Sequence, residues 1–278
     1  MQADGAPLAA LVLGGVHGLG RAVCHVLARE GAAVAVNYRE SATAAKALCA
    51  DLERNGGNAI ALGADIADPA AAADVVARAE RALGRLDILV CAAGPFTAAR
   101  VAVARADRGA RTWLDLQAGN VAGTIAAVAA AIPGMRRRRF GRIVTFGMDG
   151  VGDAAPWPGR AAYAAAKAAL WSYTQSLARE EAPSGITVNM VAPGNIVDPF
   201  KEGTIAAARG AGAAAPARAP VGRPGSGEDV ARVVAFLAAP DSDFLTGNLI
   251  YVVGGDDVVR RPAPRLEGRD DGEGEADG

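Results

Sequence analysis

A regular alternation of short apolar runs and helical patterns is the feature that most constrains the fold of this chain. Each run is rich in Val, Ile, Leu and Ala, as expected of a strand that is buried on both faces. Parallel neighbours need a crossover connection, which a helix usually supplies. The alternation therefore predicts an α/β fold with a doubly wound parallel sheet. The first four predicted strands span residues 8–13, 32–37, 59–62 and 86–91.

The second half of the chain continues the same pattern. Predicted strands at 143–145, 186–192 and 249–253 bring the total to about seven, and predicted helices include 111–131 and 229–238. We expect one domain over residues 1–255. Within it, 198–221 is rich in Gly, Ala and Pro and is predicted to be a flexible substrate flap. The acidic, glycine-rich segment 256–278 is predicted to be a disordered tail.

Composition and charge exclude several function classes. The 278 residues are 51% hydrophobic, enough for one large core, and the net charge of -1 predicts no attraction to nucleic acid or to a membrane. Three scattered cysteines show no metal-ligand spacing and fit a reducing cytoplasm, so we expect no metal site. The arginine run 136–139 is predicted to be a solvated face at a helix end rather than a nucleic-acid patch.

A glycine-rich segment joins the first strand to the first helix. In LGGVHGLG, residues 13–20, Gly14, Gly18 and Gly20 allow a tight turn and a close approach of the backbone to a ligand. The N-terminus of the following helix favours an anion such as a pyrophosphate. A strand before the motif and a helix after it favour dinucleotide binding.

The end of the second predicted strand bears on which dinucleotide is bound. An acid at this place would accept a hydrogen bond from a ribose hydroxyl in an NAD-binding fold, but Asn37 stands here and Arg39 follows. An arginine suits a 2′-phosphate, and His17 in the glycine segment adds a second donor. The other interpretation makes Arg39 a solvated loop charge. The sequence favours NADP(H) over NAD(H).

Tyr163 and Lys167 are the candidate catalytic pair. Their spacing puts both side chains on one helical face, one turn apart. A lysine ammonium is expected to lower the pKa of the tyrosine, so that the phenol exchanges a proton with a carbonyl or an alcohol. The alternative is that the two are ordinary helix neighbours.

From residue 8 to residue 255 the chain resembles the short-chain dehydrogenase/reductase family, and within it the bacterial 3-oxoacyl-acyl-carrier-protein reductases. The resemblance implies a Rossmann-type sheet of strand order 3-2-1-4-5-6-7, hydride transfer between NADP(H) and the carbonyl of a ketone or 3-oxoacyl thioester, and a homo-oligomer, tetramer or dimer. The motifs stand in family order: GGVHGLG, Asp65, CAAG at 91–94, Trp113 with Asn120, GRIV, YAAAK, ITVNMVAPG and PVGRPGSGEDVARVVAFLAAPDSDFLTGNLIYVVGG.

The resemblance also implies a role for individual residues. Tyr163 is the implied proton donor, Lys167 holds the nicotinamide ribose, and Asn120 holds a water that passes protons to the lysine. Asp65 contacts the adenine, and Pro193 and Gly194 border the nicotinamide. The other implied cofactor contacts are Gly14, Val16, His17, Gly18, Leu19, Gly20, Asn37, Tyr38, Arg39, Ile66, Ala92, Ala93, Gly94 and Ile196.

One departure from the family pattern concerns the catalytic serine at the end of the fifth strand. Aligned on GRIVTF this position is Met148, and counted back from Tyr163 it is Gly150. A thioether cannot donate a hydrogen bond, and one lost donor of this kind lowers a rate roughly 100- to 1,000-fold.

Three interpretations of this departure stay open. Asp149 donates as a neutral acid, which resembles the pteridine reductases and predicts a pteridine- or imine-type reductase. Alternatively, Tyr163 acts alone on a reactive carbonyl. In the third interpretation, the chain is a non-catalytic NADP(H)-binding sensor or partner protein.

Overall fold

Seven strands form one parallel sheet at the centre of the part of the chain that the computed structural model describes, residues 2–3, 6–96, 106–212, 215–216 and 218–256. The sheet order is β3-β2-β1-β4-β5-β6-β7, and every neighbouring pair is parallel. The predicted fold class and strand order are thereby confirmed. The strands are β1 Ala9–Leu13, β2 Ala33–Tyr38, β3 Asn58–Gly63, β4 Ile88–Cys91, β5 Gly141–Phe146, β6 Ile186–Pro193 and β7 Leu249–Val252.

Helices cover both faces of the sheet, and the strands supply a core to each. Along β1, Ala10 and Val12 join one buried cluster while Leu11 and Leu13 join the other, as the two-residue period of a strand requires. The helices are α1 Gly18–Arg29, α2 Ala42–Arg54, α3 Pro69–Leu83, α4 Ala106–Gln117, α5 Gly123–Arg138, α6 Ala161–Glu181, α7 Ile205–Gly210 and α8 Gly227–Ala238.

The helix predicted at 111–131 is longer than expected and is interrupted. A π-helical segment, Ala118–Ala122, separates α4 from α5. By length and composition Arg111–Arg138 could cross a membrane, and 56% of its most apolar stretch is buried inside the protein. Because α5 packs on α3 and the sheet, its apolar character is that of a core helix.

The first half of the predicted flap is packed against α8. Phe200 and Ala208 are buried, and the Ile205 amide donates to Glu228 Oε2 at 2.9 Å. A Cβ added at Gly227 would lie 2.0 Å from the Lys201 carbonyl oxygen, so the two backbones are in close contact. Flexibility over 198–221 stays a prediction. The predicted tail lies outside the described residues except for Asp256.

The arginine run at the end of α5 is exposed at Arg136, Arg137 and Arg139, as expected, and it also forms ion pairs with neighbouring elements. Arg136 makes a two-point contact with Glu181, at 2.8 Å from Nε and 2.5 Å from Nη2, which ties α5 to α6. Arg138 pairs with Glu80 on α3 at 2.9 Å and with the buried Asp87 at 3.3 Å. The run fastens neighbouring elements together because the helix end brings it beside their carboxylates.

Candidate active site

Two adjoining clefts open at the carboxyl edge of the sheet, where the strand order reverses between β1 and β4. Such a reversal is where open α/β sheets bind ligands. The first cleft has a cavity volume of about 720 Å³ and the second about 510 Å³. Ala92 and Gly94, which follow β4, line both clefts, so the two are continuous.

The glycine segment shapes the floor of the first cleft. Gly14 and Gly18 have φ values of +72° and +57°, which disfavour other residues. A Cβ at Gly20 would lie 2.2 Å from the Gly14 carbonyl oxygen, whereas a Cβ at Gly18 would meet nothing within 4 Å. The turn is therefore closely packed at Gly20 and open at Gly18. This arrangement fits the phosphates of a dinucleotide.

A carboxylate already stands at the N-terminus of α1. Glu202 Oε1 accepts a hydrogen bond from the Gly18 amide at 2.8 Å, and Glu202 Oε2 lies 3.5 Å from Arg21 Nε. His17, at the N-cap, makes no side-chain cap and lies 3.9 Å from the same carboxylate. The acid stands in for an anionic ligand, and its position shows that this helix end attracts negative charge.

Asn37 lines the first cleft and is bonded to the backbone around it, so its contact with a cofactor stays a prediction. Its Oδ1 accepts from the Gly14 amide at 3.2 Å, and its Nδ2 donates to the carbonyls of Leu62 and Ala64, each at 3.2 Å. Because these bonds occupy both ends of the buried amide, Asn37 ties the glycine segment to the end of β3. The residue lines the first cleft, but its polar atoms serve the backbone.

The expected 2′-phosphate residues lie at the open end of the first cleft. Arg39 is exposed, and its Nε lies 3.0 Å from Glu40 Oε1. His17 Nε2 lies 3.3 Å from Ser41 Oγ. The other sequence-predicted residues that line this cleft are Gly14, Val16, Tyr38, Asp65, Ile66, Ala92, Ala93 and Gly94.

Tyr163 and Lys167 line the second cleft, together with Leu19, Pro193, Gly194 and Ile196. Lys167 Nζ donates to the Phe146 carbonyl at 2.8 Å and lies 5.5 Å from the centre of the Tyr163 ring. The spacing thus brings the predicted pair together at the end of β5.

The charge states of the pair differ from the expectation. Burial lowers the pKa of Lys167 to about 8, because the charged ammonium is poorly solvated. Burial also raises the pKa of Tyr163 to about 12, and the cation that opposes this rise is Arg160 rather than Lys167. The expected lowering of the tyrosine pKa by the lysine is therefore wrong for this structure, since desolvation outweighs it.

Asn120 lies behind the clefts, in the π-helical segment. Its Nδ2 donates to the carbonyls of Leu116 and Pro95, both at 3.0 Å, while its Oδ1 is buried without a hydrogen-bond partner among the described residues. A Cβ at Gly94 would lie 2.3 Å from that oxygen, so only glycine fits above it. Asn120 presents an unpaired acceptor directly under the shared floor, and its contact with a water stays a prediction.

Met148 and Asp149 follow β5 and line the second cleft. Met148 is 3% exposed and packs with Val151, Leu170 and Met190. Gly150 forms the left-handed turn after them, with φ of +73°. Met148 lines the cleft and Gly150 is not among its lining residues, but which of the two takes the place of the usual serine stays a prediction. Among the described lining residues, Tyr163 carries the one hydroxyl.

Sequence reasoning missed several residues of the second cleft. Phe96, Trp157, Arg160 and Lys201 line it as well. For Arg160 a signal existed, because it stands at the N-cap of α6, three residues before Tyr163. Phe96 and Trp157 come from loops and Lys201 from a short 3-10 helix, Phe200–Glu202, and no local pattern reports their approach.

Comparisons with known proteins agree with this geometry. A sequence profile for the family described as Enoyl-(Acyl carrier protein) reductase matches residues 14–256. YtkK of Bacillus subtilis (strain 168) is 39% identical over 259 residues, covering 91% of this chain and 97% of YtkK. The chain belongs to the short-chain dehydrogenase/reductase family. It is accordingly an NAD(P)-dependent oxidoreductase that binds a nicotinamide cofactor.

Two further relatives bear on activity and cofactor. The 3-oxoacyl-[acyl-carrier-protein] reductase FabG of Escherichia coli (strain K12) is 36% identical over 248 residues, covering 88% of this chain and 96% of FabG. A blue fluorescent protein from a metagenomic library, solved in complex with NADPH, matches with a TM-score of 0.74 and 33% identity. That match covers 89% of this chain and 97% of the other.

Proposed function

We propose that this chain is an NADPH-dependent reductase of a ketone or 3-oxoacyl thioester, with Tyr163 as the proton donor. The observation that carries the proposal is the position of Tyr163 in a cleft that continues into the dinucleotide cleft through Ala92 and Gly94. Similarity to FabG supports the substrate class.

The chemistry assigned to the residues follows from their charge states. When bound, the nicotinamide supplies a hydride to the carbonyl carbon. Tyr163 gives its phenolic proton to the carbonyl oxygen, and a pKa of about 12 keeps it protonated at neutral pH, ready to act as an acid. Arg160 supplies positive charge that stabilises the phenolate left behind, and Lys167, oriented by the Phe146 carbonyl, holds the nicotinamide ribose.

The preference for NADPH rests on Arg39 and His17. Both lie at the open end of the first cleft. At the end of β2, Asn37 stands where an NAD-binding fold has an acid. The solved NADPH complex of a relative supports the same choice. Dissociation constants for NADPH and NADH test it. Arg39→Ala should weaken NADPH binding roughly 10-fold and leave NADH binding unchanged, since a charged hydrogen bond contributes about 1.5–3 kcal/mol.

The central test is NADPH oxidation by the purified protein with acetoacetyl thioesters, simple diketones and a pterin. Turnover should occur with a ketone and disappear in Tyr163→Phe, while NADPH binding stays intact. Met148→Ser should raise the rate by 10-fold or more, because it adds a donor at the cleft, and Met148→Ala controls for lost packing. Turnover that survives in Tyr163→Phe would refute the assignment of the proton donor.

Asp149 supports a second candidate, a pteridine- or imine-type reductase. It is 9% exposed and lines the second cleft next to Met148. This candidate predicts reduction of the pterin in the same assay, with turnover lost in Asp149→Ala and NADPH affinity nearly unchanged. Ketone turnover that is unaffected by Asp149→Ala would favour the leading proposal.

We also infer a cytoplasmic homo-oligomer, dimer or tetramer. Three free, buried cysteines support a reducing compartment. Trp113 and Leu114 on α4 are exposed apolar side chains, which supports burial of this helix against a second copy. Light scattering with size-exclusion chromatography would measure the mass, and a monomer at micromolar concentration would contradict the inference.

A further inference from the structure

An arginine is built into the aromatic wall of the second cleft. The guanidinium carbon of Arg160 lies 3.9 Å from the Phe96 ring centre and 4.9 Å from the Trp157 ring centre. The two rings also contact Tyr163, at 5.0 Å and 6.1 Å between centres. Stacking of this kind holds a guanidinium in place while leaving its N–H edge for polar partners. Arg160 is thereby held beside the reacting phenol.

The Arg160 guanidinium has a donor that makes no hydrogen bond to the described residues. Its Nη1 is buried and has no hydrogen-bond partner among the described residues. The ion pairs of the described chain engage many of its arginines, but Arg160 is not among them. A buried donor without a partner is costly, and most costly when it carries charge. Such a group lining a cleft indicates a partner that arrives with the ligand.

The charge of the second cleft favours an anion as that partner. Its described lining carries three cations, Arg160, Lys167 and Lys201, against one carboxylate, Asp149. Lys167 is bonded to the Phe146 carbonyl, and Lys201 lies 3.2 Å from Asp198. Arg160 is therefore the cation of this cleft that lacks a polar partner within the described chain.

We propose that Arg160 is a specificity residue that binds a carboxylate of the substrate, so that the chain reduces short oxo acids in preference to their neutral esters. The proposal rests on the proposed function and narrows its substrate class to ketones that carry a free carboxylate, which a 3-oxoacyl thioester lacks. A carboxylate matches the planar fork of a guanidinium, and the rings of Phe96 and Trp157 hold that fork in place at the cleft. Since the aromatic cluster joins Arg160 to Tyr163, the carboxylate lies close to the carbonyl that receives the proton.

The test compares acetoacetate with methyl acetoacetate, which differ in one charge. With NADPH, wild type should show the higher kcat/KM for the acid. Because Arg160 also faces the phenol, Arg160→Gln should lower kcat/KM for both substrates, but for the acid about 10- to 100-fold more than for the ester, the value of a charge-assisted hydrogen bond. Arg160→Lys keeps the charge and should retain part of the preference. Arg179→Gln, an equal charge change at an exposed site of α6, should have no effect.

A binding measurement separates this proposal from the proposed function. In Tyr163→Phe with NADPH present, tryptophan fluorescence should report tighter binding of the acid than of the ester, and Arg160→Gln should remove that difference. If Arg160→Gln weakened binding of the acid and of the ester to the same extent, or if wild type bound the ester more tightly, the role of Arg160 would be overturned. Absence of turnover with every ketone would instead refute the reductase, and the binding ratio would still decide Arg160.

Discussion

At the scale of single residues, burial governs the pKa values of Tyr163 and Lys167 in the second cleft. Tyr163 and Lys167 lie one helical turn apart, yet burial raises the pKa of the tyrosine and lowers that of the lysine. Both shifts favour the neutral form, because both groups are removed from water. Proximity in sequence is therefore a poor guide to charge state. The exclusion of water by the surrounding elements decides the charge state.

The lysine makes stability depend on pH in a defined direction. The pKa of Lys167 is about 8 in the folded chain against 10.5 as its ordinary value, so between these pH values the unfolded chain binds more protons. Between pH 7 and pH 9.5 this group should raise folding stability by about 2 kcal/mol. Urea unfolding at pH 7 and pH 9.5 measures this gain, which Lys167→Met should remove.

Lys46→Met is the matched control, because Lys46 is exposed on α2. It should leave the pH dependence as in wild type. Above pH 10 the raised pKa of Tyr163 acts in the opposite direction, which is why the comparison stops at pH 9.5. An identical pH dependence in wild type and Lys167→Met would contradict the assigned pKa of the lysine.

At the scale of elements, two segments far apart in the chain meet at the N-terminus of α1. Glu202, in the turn before α7, bonds the Gly18 amide that opens α1, 184 residues earlier. Arg21 and His17 face the same carboxylate. Because the carboxylate occupies the helix end where we propose that the cofactor phosphates bind, we expect the cofactor and Glu202 to compete for the same donors.

Glu202→Gln should therefore raise NADPH affinity, by roughly 3- to 10-fold, since a charge at a helix N-terminus contributes about 0.3–1 kcal/mol and more when partly buried. Isothermal titration calorimetry would measure it. Glu53→Gln makes the same charge change at an exposed site of α2 and should leave affinity unchanged. Weaker NADPH binding in Glu202→Gln would show that the carboxylate assists the cofactor rather than competing with it.

At the scale of the whole molecule, a buried arginine fastens the edge of the sheet opposite the clefts. Arg142, near the start of β5, is 1% exposed. It donates to the carbonyls of Ala239 and Pro240 after α8, at 3.2 Å and 2.9 Å, and to that of Gly185 before β6 at 3.4 Å. The residue joins three segments that are adjacent only in the folded protein.

Arg142→Met should leave these carbonyls unpaired and lower the free energy of unfolding by about 3 kcal/mol, because several buried acceptors lose their donor. NADPH affinity should stay unchanged in the folded fraction, since the clefts lie at the other end of β5. Urea unfolding and NADPH titration check both statements. Arg137→Met, at an exposed position, should change neither, and a comparably small effect of Arg142→Met would refute the structural role.

The sequence by itself determined the alternation of strands and helices, the glycine turn before α1 and the helical pairing of Tyr163 with Lys167. These depend on spacing over a few residues, and spacing is written in the chain. Only the tertiary structure decided that Asn37 serves the backbone, that Arg136 and Arg138 bind carboxylates, that Glu202 reaches the start of α1, and that Arg160 lines the second cleft. Each of those outcomes depends on which distant groups packing brings within hydrogen-bond distance and removes from water, and no local pattern encodes that.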